Sequence, residues 1–164
     1  MVPYKPAVRR STRAVDAFDE LIAGLRPGLA RAFAAAYGRD RGEDALAEAL
    51  AWAYEHRFRL LGMENPGGYL YRVGQSRSRS RRDRHAFPAP AVLGLPDVEP
   101  GLPDALASLS DRQRACLALV IVDEWTYEEV AVLLGITRSS VQSHVERALQ
   151  KLRKRLGVDQ HVDV

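Results

Sequence analysis

"GITRSSVQSHVERALQKL", residues 135–152, decides how this chain is read. Gly135 closes a short apolar run, "VAVLL". Thr137 then opens another, in which Val141, Val145, Ala148, Leu149 and Leu152 recur at helical spacing. Two helices joined by one tight turn must cross sharply and pack closely. That asks for a small residue in the first, a glycine at the turn and aliphatic residues in the second. Ala131, Gly135 and Val141 stand at those places, with Val130, Leu134, Ile136 and Val145 as a shared core. Thr137 is placed to cap the second helix, which the spacing carries to about Leu156. The pattern predicts a helix-turn-helix rather than a plain helical hairpin, because a basic tail follows it.

The face opposite Val141, Val145 and Leu152 carries Ser139, Gln142, Ser143, Glu146, Arg147 and Gln150, with Thr137 and Arg138 at its leading end. In a major groove Gln matches adenine, Arg matches guanine and Glu accepts from the cytosine amino group, so this face is a candidate reader of duplex DNA. Lys151, Arg153, Lys154 and Arg155 suit phosphates, which position a protein without reading sequence. The same cations stabilise a helix C-terminus, and both roles can hold together.

Upstream, "SDRQ" (110–113) and "TYEE" (126–129) are capping boxes, each placed before an apolar run. Asp104 is a further cap for a short helix. "LALVIV" ends in β-branched residues, yet it follows a capping box and reads as helix. Residues 86–103 hold five of the nine prolines and neither helical nor strand periodicity, which predicts a linker. Residues 1–13, with two prolines and four basic residues, read as a flexible arm, and 159–164 as a tail. The chain is therefore expected to be all-α: two small helical bundles, 14–85 and 104–158, joined by the Pro-rich linker.

In the first bundle, helical character runs from Ala14 to Tyr37, with Pro27-Gly28 marking a kink or a break between two short helices. "GRDRGED" (38–44) predicts a loop, and a long helix is expected over about 43–61. Leu46, Ala49, Leu50, Ala53 and Leu61 share one face of it, at about 100° per residue. Asp44, Glu48 and Glu55 share the opposite face with Trp52 at its edge, the composition of a protein-docking surface or of a partly covered surface Trp. Pro66 suits the first turn of another helix, about 66–84. It ends with Arg77, Arg79, Arg81, Arg82 and Arg84, which spray over more than one helical face. Interleaved serines and the preceding Tyr69 and Tyr71 fit backbone tracking and stacking on nucleic acid. The acid face is expected to point away from this element.

Net charge is only +3, so distribution rather than total charge carries the nucleic-acid case. The single Cys116 sits in an apolar run and reads as a buried structural thiol; it permits no internal disulfide. His56, His85, His144 and His161 are scattered, without metal-ligand spacing. "GGYLYRVG" follows no strand and is no dinucleotide fingerprint. No reaction is indicated, and no metal, cofactor or catalytic residue is expected. The apolar runs are too short to span a membrane, which predicts a soluble, cytoplasmic protein.

Taken together, "ENPGGYLYRV" with its arginine-rich tail, the Pro-rich linker and "LSDRQRACLAL…TYEEVAVLLGITRSSVQSHVERALQKLRKRL" resemble the extracytoplasmic-function (ECF) type sigma factors of the sigma-70 family over about 16–156. The resemblance implies a dissociable specificity subunit of RNA polymerase built from regions 2 and 4, with promoter DNA as ligand and an anti-sigma factor as a further partner. Region 2 of that family docks on the β′ clamp helices and opens the downstream element; region 4 binds the β flap and the upstream element. The resemblance places docking at Asp44, Glu48, Trp52 and Glu55, and strand capture at about Leu61–Asn65. It places further region 2 contacts along Tyr69, Tyr71, Arg72, Gln75, Ser76, Arg77, Arg79 and Arg82. Upstream-element contacts fall on Thr137, Arg138, Ser139, Gln142, Ser143, Glu146, Arg147, Lys151 and Lys154.

Two departures stand out. Ala47 replaces the family's usual glutamine in "DALAE", and Gly74-Gln75-Ser76 stands where many members have Ala-Arg-Asn. A glycine inside a helix costs up to about 1 kcal/mol relative to alanine, so region 2 is expected to be weakened or tuned to an unusual promoter. Two other readings fit parts of the chain. "SSVQSHV…RALQKL" with His144 is also similar to LuxR-type regulators, although residues 14–84 resemble no sensing domain. A sigma-like protein that binds polymerase without initiating fits the departures.

Overall fold

The computed structural model describes residues 8–80 and 100–157, with side chains over 14–77 and 100–157. Every regular element among the described residues is a helix. α1 spans Val8–Tyr37, α2 Arg39–Glu55, α3 Arg57–Leu61 and α4 Pro66–Ser80. After the linker come α5 (Leu102–Ala107), α6 (Asp111–Leu117), a wide turn over Ala118–Val122, α7 (Tyr127–Leu134) and α8 (Arg138–Leu156).

Three N-caps form as their sequences predict. Ser110 and Gln113 close a reciprocal capping box on α6, and Thr126 and Glu129 close another on α7. The Thr137 hydroxyl accepts from Ser140 N at 3.1 Å to start α8. Gly135 ends α7 at φ 64°, a left-handed conformation that glycine adopts without steric cost. Asp104, expected as a cap, lies instead inside the first turn of α5. "LALVIV" stays helical but widens: Asp123 N reaches back to Ala118 O at 3.1 Å, a five-residue spacing.

Other expectations need correction. α1 runs unbroken through Pro27 and begins at Val8, inside the stretch read as an arm. "GRDRGED" is not a loop, because α2 begins at Arg39. Gly42, which reads as a breaker, is a packing residue: a Cβ there would meet the Ala34 backbone at 2.8 Å. Gly42, Ala45, Ala49 and Ala53 form the buried stripe of α2, small enough to seat the helix closely on α1. The long helix stops at Glu55, where His56 bonds the Trp52 carbonyl at 2.9 Å and α3 starts anew. Of the tail and linker, residues 81–99 and 158–164 lie outside the described residues.

The cores of the two bundles are continuous. Phe18, Leu29, Phe33, Leu70 and Tyr71 pack on one side, and Cys116, Leu119, Val130, Leu134, Val141 and Val145 on the other, within a single apolar cluster. α1 lies against α6 and the wide turn, and α4 lies against α7. Polar groups stitch the seam. The Arg114 guanidinium donates to Ala36 O at 2.6 and 3.1 Å and to Asp111 at 2.7 Å. Burial presses its pKa down, and Asp111 opposes that. Arg31 pairs with Asp123 at 3.5 Å.

Candidate nucleic-acid interface

α8 turns Val141, Val145 and Ala148 inward. The 3.6-residue repeat then puts Ser139, Gln142, Glu146, Arg147 and Gln150 in solvent, with the half-buried Ser143 among them. Gln142 Nε2 donates to Glu146 Oε1 at 2.8 Å, one turn apart, so the two are held as a pair. Arg138 is exposed and lies over the Tyr127 ring at 5.9 Å. Thr137 is exposed too, but its hydroxyl is occupied in capping. Lys151, Arg153, Lys154 and Arg155 form a basic end, where Ser108, directly after α5, joins Lys151, Lys154 and Arg155 around a cleft of about 470 Å³. The candidate reading face and the phosphate-suited end are thus consecutive stretches of one helix. His144 is half-buried. Its pKa is lowered by desolvation first, then by Arg112 and Arg147.

On α4 the expected contacts divide. Arg72, Ser76 and Arg77 are exposed, and Tyr69 is half-exposed. Tyr71 is not available: it is fully buried, stacked on Phe33 at 5.1 Å and 8°. Burial drives its pKa upward, and among the described residues its hydroxyl has no hydrogen-bond partner. Gln75 is buried on the same side and accepts from Arg112 Nη2 at 3.4 Å. Tyr69 and Tyr71 are two residues apart, about 200° around a helix, so they cannot share a face. Tyr71, Gly74 and Gln75 do share one, and it is the core face. Gly74 is therefore no defect: a Cβ there would lie 2.4 Å from Phe33 Cζ and 2.7 Å from Ala45 O. The side chain of Arg79 and all of Arg82 lie outside the described residues.

The acid stripe of α2 adjoins α4 instead of pointing away from it. Glu48 pairs with Arg77. Trp52 stacks on His56 at 4.3 Å and meets Tyr69 at 4.7 Å. Arg59 covers both rings, 5.9 Å from Trp52 and 5.8 Å from Tyr69. Asp44 and Glu55 are exposed along the same stripe. The expected docking and strand-contact surfaces thus meet along one edge, joined by a cation–aromatic cluster. Sequence reasoning missed Arg59, although "HRFRLL" directly after Trp52 was the available signal. It also missed Arg112 and Arg114, read only as the interior of a capping box.

The family "Sigma-70, region 4" matches residues 105–154, that is α5 to α8 up to the basic end. The RNA polymerase sigma factor CarQ of Myxococcus xanthus is 30% identical over 163 residues, covering 88% of this chain and 91% of CarQ. This chain is a sigma factor of the sigma-70 family, ECF-like in type. Sigma factors of this family are not enzymes, so its chemistry is recognition.

Other relatives bear on parts of this sigma factor. The sigma factor FliA of Pseudomonas aeruginosa is 29% identical over 136 residues, and the chain spans 53% of it. The positive control factor of Bacillus subtilis is 39% identical over 51 residues, about a third of either protein (31% and 30%). The fold is similar to that of the sigma factor RpoE, solved in complex with the anti-sigma factor NepR from Bartonella quintana. That likeness has a TM-score of 0.57 and 23% identity, over 87% of this chain and 98% of RpoE. The match to CarQ extends through the first bundle, which sets the LuxR-type reading aside. Among the described residues no helix is long and apolar enough to cross a membrane.

Proposed function

We propose that this sigma factor docks on polymerase through the α2 stripe of Asp44, Glu48, Trp52 and Glu55, and reads the upstream promoter element with α8. The observation that carries the reading is the division of α8: Gln142, Glu146 and Arg147 are exposed opposite a buried Val141–Val145–Ala148 stripe, and a cationic last turn follows. Side chains that match base edges precede cations that match phosphates, the order a helix entering a major groove needs. On region 2, Tyr69, Arg72, Ser76 and Arg77 are the surface groups left for downstream DNA, with Asn65 at their head. Arg79 and Arg82 extend the series along the chain.

In this reading the β′ clamp helices receive the α2 stripe and the β flap receives the second bundle. A partner of the anti-sigma class, as RpoE has in its solved complex, would act on the same chain. The work is cytoplasmic. Glu55 is the clean probe of docking, because it is exposed, whereas Glu48 already holds Arg77. Glu55→Arg should weaken binding to core polymerase while leaving duplex DNA binding by α8 unchanged. Undiminished core binding would remove the stripe from the interface. A chain that binds core but never supports specific starts would be the non-initiating sigma-like protein.

A further inference from the structure

A cavity of about 370 Å³ opens where the middle of α1, the turn at 64–67 and α7 come together. Its apolar wall is made by Leu25, Pro66, Trp125, Val132 and Leu133. Glycines of α1 shape the rest. At Gly28 a Cβ would lie 2.7 Å from Trp125 Cη2 and 3.3 Å from Leu133 Cδ2, so glycine is what lets those side chains close on α1. One turn earlier, a Cβ on Gly24 would meet nothing within 4 Å, and the space beside it stays open. A concave, mostly apolar space of this volume suits a small organic molecule.

The charged groups at this cavity are all of one sign. Glu64, Glu128 and Glu129 line it, and among the described residues no cation does. All three are exposed, and among the described residues Glu64 and Glu128 have no ion-pair partner. Glu129 is engaged in its cap, accepting from the Thr126 hydroxyl at 2.7 Å and the Thr126 amide at 2.8 Å. Those two bonds, the hydroxyl's first, hold its pKa below the ordinary value, so it keeps its charge at neutral pH. Helix dipoles work the other way. α4 and α7 both begin at the cavity, and each helix N-terminus counts as about half a positive charge. Two such ends offset about one of the three negative charges and leave about two. The balance selects a cation.

We infer that this cavity is a binding site for a small amphipathic organic cation, with an aromatic body against Leu25, Trp125 and Leu133 and an ammonium group at Glu64 and Glu128. Apolar burial supplies most of the affinity, and the half-buried Trp125 ring offers a stacking partner. The carboxylates supply the preference of sign, since an exposed ion pair is worth up to about fivefold in affinity. The site shares no charged residue with the α2 stripe or the reading face of α8. Its test therefore needs neither polymerase nor DNA.

The experiment titrates naphthylmethylamine into the isotope-labelled full chain at neutral pH and low salt, with naphthylmethanol and naphthoate as the neutral and anionic isosteres. The chain has two tryptophans, Trp52 and Trp125, so their indole N–H resonances report where a probe sits. The Trp125 signal should move saturably with the amine while the Trp52 signal stays. By calorimetry the amine should bind roughly tenfold tighter than the alcohol, and naphthoate more weakly than either. Glu64→Gln with Glu128→Gln leaves the Thr126–Glu129 cap intact and should bring the amine down to the affinity of the alcohol. Gly24→Leu places a side chain in the open space and should abolish binding of amine and alcohol alike. Its Tm without ligand should not fall, because leucine is the better helix former. At a hundredfold excess over Kd, the amine should raise the wild-type Tm by about 5–10 °C and leave that of Gly24→Leu unmoved. No saturable shift of Trp125 with amine or alcohol would overturn the site. Equal affinity for the three probes, or an amine affinity unchanged in the double Gln variant, would overturn the selection by charge. Binding that moves Trp52 and survives Gly24→Leu would put the probe at the Trp52–Tyr69 cluster and overturn the inference as well.

Discussion

Gly74→Ala tests whether the departure in α4 is a weakness or a fit. Helix propensity alone predicts a gain of about 0.8–1 kcal/mol on replacing an interior glycine with alanine. The structure predicts the opposite sign. The new methyl would sit 2.4 Å from Phe33 Cζ and 2.7 Å from Ala45 O, and only the first can move. Phe33 is itself fixed between Tyr37 and Tyr71, so a shift propagates through the ring stack. Overpacking of this kind costs about 1–3 kcal/mol, and the backbone oxygen argues for the upper half of that range. Subtracting the propensity gain leaves a net loss of about 1–2 kcal/mol, a fall of roughly 2–8 °C in Tm for a chain of this size. Gly24→Ala is the internal control, because a Cβ at Gly24 in α1 meets nothing within 4 Å. It should stabilise by about 0.4–1 kcal/mol. Urea melts of both variants at constant m-value settle the matter. A Gly74→Ala chain as stable as the wild type would refute the packing argument.

Three further predictions follow from the site and its caps. Gln142→Ala and Arg147→Ala should each relax preference at particular base pairs by about 1–3 kcal/mol in competition binding, while Lys154→Ala should weaken all duplexes alike and lower the salt slope by about one unit. Thr126→Ala removes the cap and the donor to Glu129, and should cost about 1 kcal/mol in a denaturant melt. His144 titrates below its ordinary value when folded, so below about pH 6.5 the unfolded chain binds more protons and stability falls with pH, levelling off above that range; His144→Gln should flatten that part of the pH–stability curve.

The sequence made local structure legible wherever one residue type answers one backbone need. Ser110, Thr126 and Thr137 cap the helices they precede, and Gly135 turns where a left-handed residue is required. The exposed face of α8 was equally legible, because a 3.6-residue repeat fixes which side chains remain when Val141 and Val145 go inward. α4 was legible in principle: Tyr71, Gly74 and Gln75 lie on one side by spacing alone, yet the basic composition drew Tyr71 and Gln75 to the surface. The seam was not legible. Gly68 meets Gly135 and Arg114 meets Ala36 across 67 and 78 intervening steps of chain, and no periodicity encodes such a pairing. Gly42, Gly68 and Gly74 look like breakers in sequence and serve as close approaches in space.

The most direct measurement is the mapping of transcript starts from genomic DNA fragments with cognate core polymerase, with and without the purified chain. Core lacks promoter specificity, so the account predicts starts at defined positions only when the chain is present, sharing an upstream element whose preference shifts in the Arg147→Ala chain and lost with Glu55→Arg. Starts that are absent or scattered with the wild-type chain would contradict its role as an initiating sigma factor.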